Sequence, residues 1–325
     1  MKQIVEAFST AQKKLAAYAR YGRFHLIWVI VRYVLLFGIA YLMILPLFQM
    51  TTKSLTLWTE VKEGTTVYLP KTVTFENFRE AIKAFDFLSS LRYTALFTII
   101  ATAAQLLSTS LAGYGLARYH FRGSGLLFGC VIVSIILPIQ TAQIPLYLEY
   151  QHFDFFGLGK LIGLFTGQPF TVKLLNTMWV YFLPALLGVG LWSGLYIFLF
   201  RQMFRSIPVA LEEAARVDGC GRWGTLFRVM LPNAVPVYVT VALLSMINYW
   251  NDVVIGAMFN AQAKPQPIMV KLQQSMIVTF AGVDDAQQVV QACAVYLMTV
   301  LPLLLVFILG QKFFVESMDR SGVKG

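Results

Sequence analysis

Charged residues are scarce in this chain of 325 residues: Asp, Glu, Lys and Arg make up 13% of it, whereas hydrophobic residues make up 58%. Soluble globular domains carry about 25% charged residues, so this balance excludes an ordinary soluble fold. The three Cys and three His are scattered without the spacing of metal ligands or of a disulfide framework. We therefore predict that the protein holds no metal and no cofactor.

The chain also lacks a phosphate-binding loop of the form G-x-x-x-x-G-K-[ST]. Lys160 follows Gly159, but Leu161 comes next and no glycine stands at the required upstream position. No set of side chains indicates a catalytic site either. We predict that the protein is not an enzyme and does not bind ATP by this route.

The hydrophobic residues come in long blocks, which indicates an all-α polytopic membrane protein. Most blocks approach the ~20 residues that an apolar helix needs to cross a bilayer. The first block is shorter, but it extends back to residue 24 if Arg32 snorkels to the interface. Six transmembrane helices are predicted, at residues 33–48, 93–116, 126–148, 180–200, 233–254 and 292–309.

The net charge is +10, and the positions of the basic residues predict the orientation of the chain. An even number of spans puts both termini on one side, together with residues 117–125 and 201–232. That side carries sixteen of the 26 Lys and Arg residues, and basic loops stay in the cytoplasm. We predict a membrane protein with both termini cytoplasmic, whose basic residues contact phospholipid and no nucleic acid.

The predicted spans divide the chain into four regions. Residues 1–48 hold a cytoplasmic tail and the first transmembrane helix, 49–92 an extracytoplasmic segment, 93–310 the transmembrane domain and 311–325 a second cytoplasmic tail. A Gly- and Phe-rich stretch at residues 153–172 is too broken for another span. It is predicted to be a re-entrant or interfacial segment at the outer mouth of the transmembrane bundle, or else a mobile loop.

The most informative segment is a charged island between two apolar blocks, residues 212–232, which reads EEAARVDGCGRWGTLFRVMLP. Gly219 is predicted to end a first helix in a left-handed conformation. A second short helix, over residues 222–230, then leads into the next span. The two short helices and the turn between them form a rigid helix–turn–helix unit, which we call the bracket and which is joined to two membrane helices. Glu213 on this bracket is a charged contact for a partner.

Local signals also predict where the first helix of this bracket begins and what supports it. Ser206 is expected to cap the helix, and Pro208 is tolerated in its first turn. Glu212 and Arg216 are spaced one turn apart in the favourable order, so we expect an ion pair between them. A stable cytoplasmic loop without a partner would show the same local features.

The spacing in this segment resembles the coupling loop of bacterial ABC importer permeases, written E-A-A-x3-G-x9-I-x-L-P. Glu213, Ala214, Ala215 and Gly219 match its first half, and Leu231 and Pro232 match its end, with Val229 in place of Ile.

Three further motifs are similar to the carbohydrate-uptake branch of these permeases, the branch of the second maltose permease subunit. Residues 111–118 (LAGYGLAR) resemble the end of a permease helix, and residues 250–252 read W-N-D. The chain ends G-V-K-G, where Gly322 departs from the usual Ala.

The resemblance implies a type I ABC importer permease bundle of six transmembrane helices in the bacterial cell (inner) membrane. It also implies partners: a second homologous permease subunit, two cytoplasmic ATP-binding subunits and an extracytoplasmic solute-binding protein. The residues implied to couple transport to the ATPase are Glu212, Glu213, Ala214, Ala215, Gly219, Leu231, Pro232 and Lys324.

Polar residues near the end of the fifth predicted span are candidates for the substrate pathway. Asn248, Asn251 and Asp252 share one helical face by their spacing, and Trp250 adds an aromatic wall. Amides and a carboxylate suit sugar hydroxyls, and an intramembrane acid is a functional candidate by default. The alternative is that Asp252 lies near the outer helix end and pairs with the partner permease.

We compare four possible functions with the sequence. The first is a permease subunit of an ATP-driven sugar importer, and the second is the same machine for another polar solute such as a polyamine. A secondary transporter predicts several coupling acids inside the spans, yet only Asp252 qualifies. A membrane enzyme requires a catalytic constellation, which the sequence does not provide.

Overall fold

The computed structural model describes the backbone of residues 2–64, 69–137, 139–279 and 285–322. Across these residues the chain is mostly helical, and β-pairing is limited to the isolated bridges Thr56–Val73 and Phe153–Val172.

The helices follow one another along the chain, separated by turns and two longer connections. Their bounds are α1 Lys2–Ser54, α2 Trp58–Lys62, α3 Glu76–Ala84, α4 Phe87–Arg118, α5 Ser124–Ile136, a 3-10 helix Ile139–Ala142, α6 Gln143–Gln151, α7 Leu158–Thr166, α8 Trp179–Leu186, α9 Ser193–Ser206, α10 Val209–Val217, α11 Arg222–Thr225, a π-helix Leu226–Met230, α12 Leu231–Asn233, α13 Val235–Trp250, α14 Val254–Phe259, α15 Ile268–Thr279 and α16 Asp285–Gly322.

Helix α4 lies at the centre of the bundle and contacts α8, α9 and α13. Its buried residues recur every three or four positions, so they form one helical face. That face consists largely of small residues, which let the backbones of neighbouring membrane helices approach closely. The small buried residues are Ser90, Thr94, Thr98, Ala101, Thr102, Thr109, Ser110 and Gly113.

A buried amide on α4 ties three of these helices together. The Nε2 of Gln105 donates to the carbonyl oxygen of Leu191 at 2.5 Å and to Ser193 Oγ at 3.0 Å. Ser245 Oγ on α13 donates to Gln105 Oε1 at 3.2 Å. Since Gln105 is fully buried, these hydrogen bonds replace those lost to water and fix α4, the start of α9 and α13 relative to one another.

Helix α16 forms the other part of the bundle, where it contacts α1, α3 and α13. Large side chains in the second half of α1, such as Trp28, Phe37 and Met43, are exposed. A long apolar helix with exposed large side chains is suited to contact with lipid.

Three described helical segments are long and apolar enough to cross a membrane: Ile27–Ser54, Phe87–Arg118 and Ala286–Gln311. They contain the predicted spans 33–48, 93–116 and 292–309. A fourth candidate is the pair Arg222–Asn233 and Val235–Trp250, which are bent by 77° relative to each other.

The other predicted spans are interrupted. The span predicted at 126–148 contains most of α5, the 3-10 helix and most of α6. The span predicted at 180–200 is split between α8 and α9 by a turn in which Gly188 has a φ of +72° and Trp192 a φ of +58°. The count of six spans therefore remains a prediction.

Two glycines near the end of α4 allow a direct test of this packing. A Cβ on Gly113 would lie 2.5 Å from Phe200 Cβ and 3.0 Å from the Arg201 backbone nitrogen, whereas a Cβ on Gly115 would meet nothing within 4 Å. Gly113→Ala should destabilise the bundle by about 1–3 kcal/mol, because α4 and α9 must separate. Gly115→Ala is the matched control and should leave the melting temperature in detergent unchanged or raise it. Equal melting temperatures for the two variants would contradict the close contact.

Candidate functional site

The predicted bracket begins with α10 and a left-handed turn. Gly219 has a φ of +80°, which confirms the predicted helix end. The Cys220 N–H donates to the Ala215 carbonyl oxygen at 2.9 Å, and the Gly219 N–H donates to that of Arg216 at 3.0 Å. These are the two hydrogen bonds of a Schellman motif, and they fix the direction in which the chain leaves α10.

The second half of the bracket is less regular than predicted. The helix expected over 222–230 is α11 followed by a π-helix that covers Leu226–Met230, and α12 then contains Pro232. Proline has no N–H to donate, so regular helical hydrogen bonding is interrupted before it. The π-helix accommodates this interruption while the chain remains helical.

Ser206 does not cap α10, so that prediction was wrong. Ser206 ends α9, and its hydroxyl donates to the Met203 carbonyl oxygen at 2.8 Å. Pro208 is the N-cap residue, and α10 begins at Val209 without a side-chain cap. The reason is that a residue before proline is held in extended conformation; Ile207 has a ψ of 128°, so the helix starts only after the proline.

The two neighbouring glutamates of the bracket have opposite surroundings. Glu212 is 3% exposed, and its carboxylate lies 2.6 Å from Arg118 Nε and 3.5 Å from Arg216 Nη2. The predicted pair of Glu212 with Arg216 is thus present, and Arg118 is an additional partner that was not predicted. Glu213 is exposed.

Arg118 joins the bracket to the membrane bundle. It is the last residue of α4, and its Nη2 also donates to the Ile207 carbonyl oxygen at 2.5 Å, in the turn between α9 and α10. One guanidinium group therefore connects the end of α4 to the turn before α10 and to α10 itself. The sequence contained Arg118 only as part of the 111–118 motif, with no signal for its partner.

The outward face of the bracket combines charged, small and apolar residues. Four neighbours of Glu213 are exposed, whereas Ala215 is buried; the exposed neighbours are Ala214, Arg216, Val217 and Asp218. Nearby on the chain, the exposed rings of Trp223 and Phe227 stack with centroids 6.1 Å apart. The exposed residues offer a partner a carboxylate beside small and apolar side chains.

The remaining residues of the predicted coupling set are spread over two places. Leu231 is half-buried and Pro232 is exposed, both in α12 at the foot of α13. Lys324 lies outside the described residues.

Asp252 lies beyond the end of the helix that was expected to contain it. Helix α13 ends at Trp250, and the carboxylate of Asp252 accepts hydrogen bonds from the N–H groups of Ile255 at 3.2 Å and Gly256 at 2.8 Å. It also accepts one from the Tyr181 hydroxyl at 2.8 Å. Asp252 thus satisfies the first N–H groups of α14 and ties that helix to α8, so it does not share a helical face with Asn248.

The other predicted pathway residues differ in exposure. Asn248 is half-buried, and its Nδ2 donates to Tyr196 Oη at 3.0 Å. Trp250 is buried, whereas Asn251 is exposed at the end of α13, where its Nδ2 donates to the Ile247 carbonyl oxygen at 3.0 Å. Of the four residues, Asn251 has the most accessible polar group.

Aromatic residues on the neighbouring helices complete this region and were not predicted. The rings of Tyr181 and Phe97 are stacked with centroids 4.5 Å apart, and Tyr249 meets Tyr181 edge-on at 6.0 Å. The sequence has 15 Tyr, and nothing in their spacing distinguishes those that face α13.

Two ends of one bundle are thus defined: the bracket at the end of α4, and the Asp252 region at the far end of α13. The model of the binding-protein-dependent transport system inner membrane component family matches residues 106–320, a range that contains both. The chain belongs to this family.

Curated relatives of this permease align with most of its length. It is 28% identical to protein LplC of Bacillus subtilis over 89% of this chain and 92% of the relative. It is 26% identical to the arabinooligosaccharides transport system permease protein AraQ of Halalkalibacterium halodurans, over 88% and 93% of the two chains. It is 30% identical to the probable ABC transporter permease protein YurM of Bacillus subtilis, over 74% and 69%.

Solved structures have the same fold. A chain of a bacterial ABC transporter involved in the import of the acidic polysaccharide alginate superimposes with a TM-score of 0.71 at 23% identity, covering 89% of this permease and 96% of that chain. A chain of a bacterial alginate ABC transporter in complex with an alginate pentasaccharide-bound periplasmic protein gives a TM-score of 0.59 at 15% identity, covering 87% and 92%.

Because Glu212 is buried and Glu213 is exposed, we expect substitutions at the two positions to change the free energy of unfolding by different amounts. Glu212→Gln leaves Arg118 buried without its counter-charge and should destabilise the permease by about 3–5 kcal/mol. Glu213→Gln, the matched control, changes an exposed side chain and should stay within about 0.5 kcal/mol of the parent. Thermal unfolding in detergent measures both. The double variant Arg118→Met, Glu212→Leu should recover much of the loss, since it removes both charges; equal losses for the two single variants would contradict the buried pair.

Proposed function

We propose that this permease moves a sugar or oligosaccharide across a bacterial cytoplasmic membrane, as one subunit of an ATP-driven ABC importer. The observation that carries the proposal is the alignment of relatives named for carbohydrate transport along most of the chain. They include the arabinooligosaccharide permease AraQ and, from Bacillus subtilis, the melibiose/raffinose/stachyose import permease protein MelC, which is 26% identical over 79% of this chain.

The proposed partners follow from the family and from the bracket. They are a second homologous permease, two cytoplasmic ATP-binding subunits and an extracytoplasmic solute-binding protein. The ATPase would dock on the exposed surface around Glu213 and Ala214, since an exposed carboxylate beside a small residue permits close approach and a charged contact. Gly219, Leu231 and Pro232 hold the bracket in shape, and the tail with Lys324 is a second proposed contact.

The same geometry suggests how a movement of the ATPase reaches the membrane. A push on α10 passes through Glu212 to Arg118 at the end of α4, because this ion pair is buried and short. Helix α4 is in turn hydrogen-bonded through Gln105 to the start of α9 and to α13. The bracket and these helices would therefore move as one body.

We further propose that both termini and the bracket are cytoplasmic, with six spans dividing the chain at 1–48, 49–92, 93–310 and 311–325. The basic residues support this orientation, and Arg118 and Glu212 would then mark the cytoplasmic end. Asn251, at the far end of α13, would face the extracytoplasmic mouth of the pathway. Asn248, Trp250 and Asp252 would shape that mouth, with Asp252 acting as an anchor of α14.

Uptake of labelled oligosaccharides tests the function and the coupling together. Deletion of the gene in its source organism should abolish uptake of at least one oligosaccharide, and the parent chain should restore it. Glu213→Ala should reduce the restored uptake by about tenfold or more, because a charged hydrogen bond to a partner contributes about 1.5–3 kcal/mol.

The control for this experiment is Glu63→Ala, which changes an exposed glutamate in the predicted extracytoplasmic segment and should leave uptake unchanged. Full uptake with Glu213→Ala would overturn the coupling role. Restoration of polyamine uptake and of no oligosaccharide uptake would overturn the cargo.

Thiol labelling tests the orientation and the pathway. In a chain whose Cys130, Cys220 and Cys293 are replaced by Ala, Asn251→Cys should react with a membrane-impermeant maleimide in whole cells, and added substrate should slow the reaction. Glu213→Cys should react only in inside-out vesicles. Labelling of both from the same side would contradict the topology, and an unprotected Asn251→Cys would place the pathway elsewhere.

A further inference from the structure

Residues 153–172, which we call the outer module, form a closed unit that leaves and rejoins the bundle at one point. The Phe153 N–H donates to the Val172 carbonyl oxygen at 3.0 Å, and the Val172 N–H donates to that of Phe153 at 2.9 Å. Inside the module, the Phe170 N–H donates to the carbonyl oxygen of Gly159 at 3.1 Å. These bonds hold the nine-residue helix α7 against the returning strand of chain.

Helix α7 turns its glycines inward. A Cβ on Gly159 would collide with the Phe170 carbonyl oxygen, and one on Gly163 would lie 2.8 Å from Pro169 Cα. The two glycines are spaced four residues apart, so they occupy one face of the helix. Because that face must contact the chain directly, the large side chains of α7 are directed away from it.

The outward face of α7 is apolar and unusually exposed. Leu164 is 81% exposed and Phe165 86%, with Leu158 and Leu161 half or more exposed on the same side. No charged residue occurs from Leu161 to Val172. A helix in a soluble protein buries its large apolar face; α7 does the reverse, which is the arrangement expected of a helix that faces lipid.

The outer module lies at the end of the bundle away from the Arg118–Glu212 pair. Tyr150, just before the module, meets the ring of Phe259 with centroids 5.6 Å apart. Just after it, the Asn176 N–H donates to the Phe259 carbonyl oxygen at 2.9 Å. Phe259 ends α14, the helix that Asp252 anchors beyond α13. The module is therefore beside the far mouth of the bundle.

We propose that the outer module is an interfacial anchor, whose α7 face inserts into the acyl-chain boundary of the outer half of the bilayer beside that mouth. Nine residues make a helix about 13 Å long, too short to cross a hydrocarbon core of about 30 Å. An uncharged apolar face on a membrane protein offers a soluble partner no charge to pair with. Left in water, such a patch is an aggregation liability, whereas lipid covers it continuously.

A charged pair at the base of the module fits the same position. Lys160 Nζ lies 3.4 Å from the carboxylate of Asp154, and the lysine side chain is 80% exposed. A hydrogen bond from the Gly157 N–H, together with Lys160, lowers the pKa of Asp154 below its ordinary value, so the carboxylate stays ionised at neutral pH. Lys160 lies one helical turn before Leu164, so its long side chain can snorkel to headgroup phosphates from the edge of the face that lies in the acyl region.

Spin-label accessibility tests this anchor in the importer complex that contains the permease, reconstituted in phospholipid nanodiscs. Labels are placed at Leu164→Cys and Phe165→Cys in the chain lacking its three native cysteines, with the exposed polar position Thr171→Cys as the matched control in the same module. Oxygen concentrates in lipid and a nickel chelate in water. The ratio of oxygen to nickel collisions should be several-fold higher at residues 164 and 165 than at 171.

Two results would overturn the anchor. A high nickel collision rate at residues 164 and 165 would place α7 in water. Low rates for both reagents would mean that protein covers the face, either a partner permease or, if the low rates require its addition, the solute-binding protein. The measurement involves no cargo, so a wrong sugar assignment would leave its outcome unchanged.

Discussion

The ion pair between Arg118 and Glu212 is the contact on which the functional arrangement of this permease depends. It joins residues of α4 and α10 that are far apart in the chain, and it is almost completely shielded from water. Desolvating two charges is expensive, and their attraction offsets that cost only when the geometry is close. The pair therefore persists only while the bracket packs against the end of α4, which makes it a sensitive link between the surface of the bracket and the membrane bundle.

The inner part of the bundle extends this link by hydrogen bonding and close backbone approach. The small-residue face of α4 brings the backbone of α9 within reach at Gly113, and the buried Gln105 connects α4 with the start of α9 and with α13. Interactions of this kind suit a transporter, because they hold helices in fixed relative positions without relying on the hydrophobic effect, which is weak between helices in lipid. At the far end, Asp252 and Tyr181 tie α14 to α8 in the same manner.

Two surfaces of opposite character complete the molecule. The bracket exposes the Glu213 carboxylate beside small and apolar residues, which suits a partner that binds in a defined position. The outer module exposes large apolar side chains along one face of α7, which suits a fluid environment without positional specificity. Glycine permits both: Gly219 sets the direction of the chain after α10, and Gly159 with Gly163 allows α7 to lie on its own returning chain.

Features that depend on composition and local spacing could be predicted from the sequence alone: the membrane class, the long apolar helices α1, α4 and α16, the left-handed end at Gly219 and the Glu212–Arg216 pair. Such features need only a few neighbouring residues, so their signals are complete within one turn or one span. Helix packing, which the sequence does not reveal, buries Glu212 on Arg118 while Glu213 is exposed, makes Asp252 an anchor of α14 beyond α13, and directs the large side chains of α7 outward. In each of these contacts the two partners lie on different helices or on distant parts of the chain. Which residues meet therefore depends on how the whole bundle packs. The interruptions of the predicted spans at 126–148 and 180–200 were missed for a similar reason. Apolar composition indicates that a segment is buried in lipid or protein, but it does not indicate where a helix ends and the chain turns.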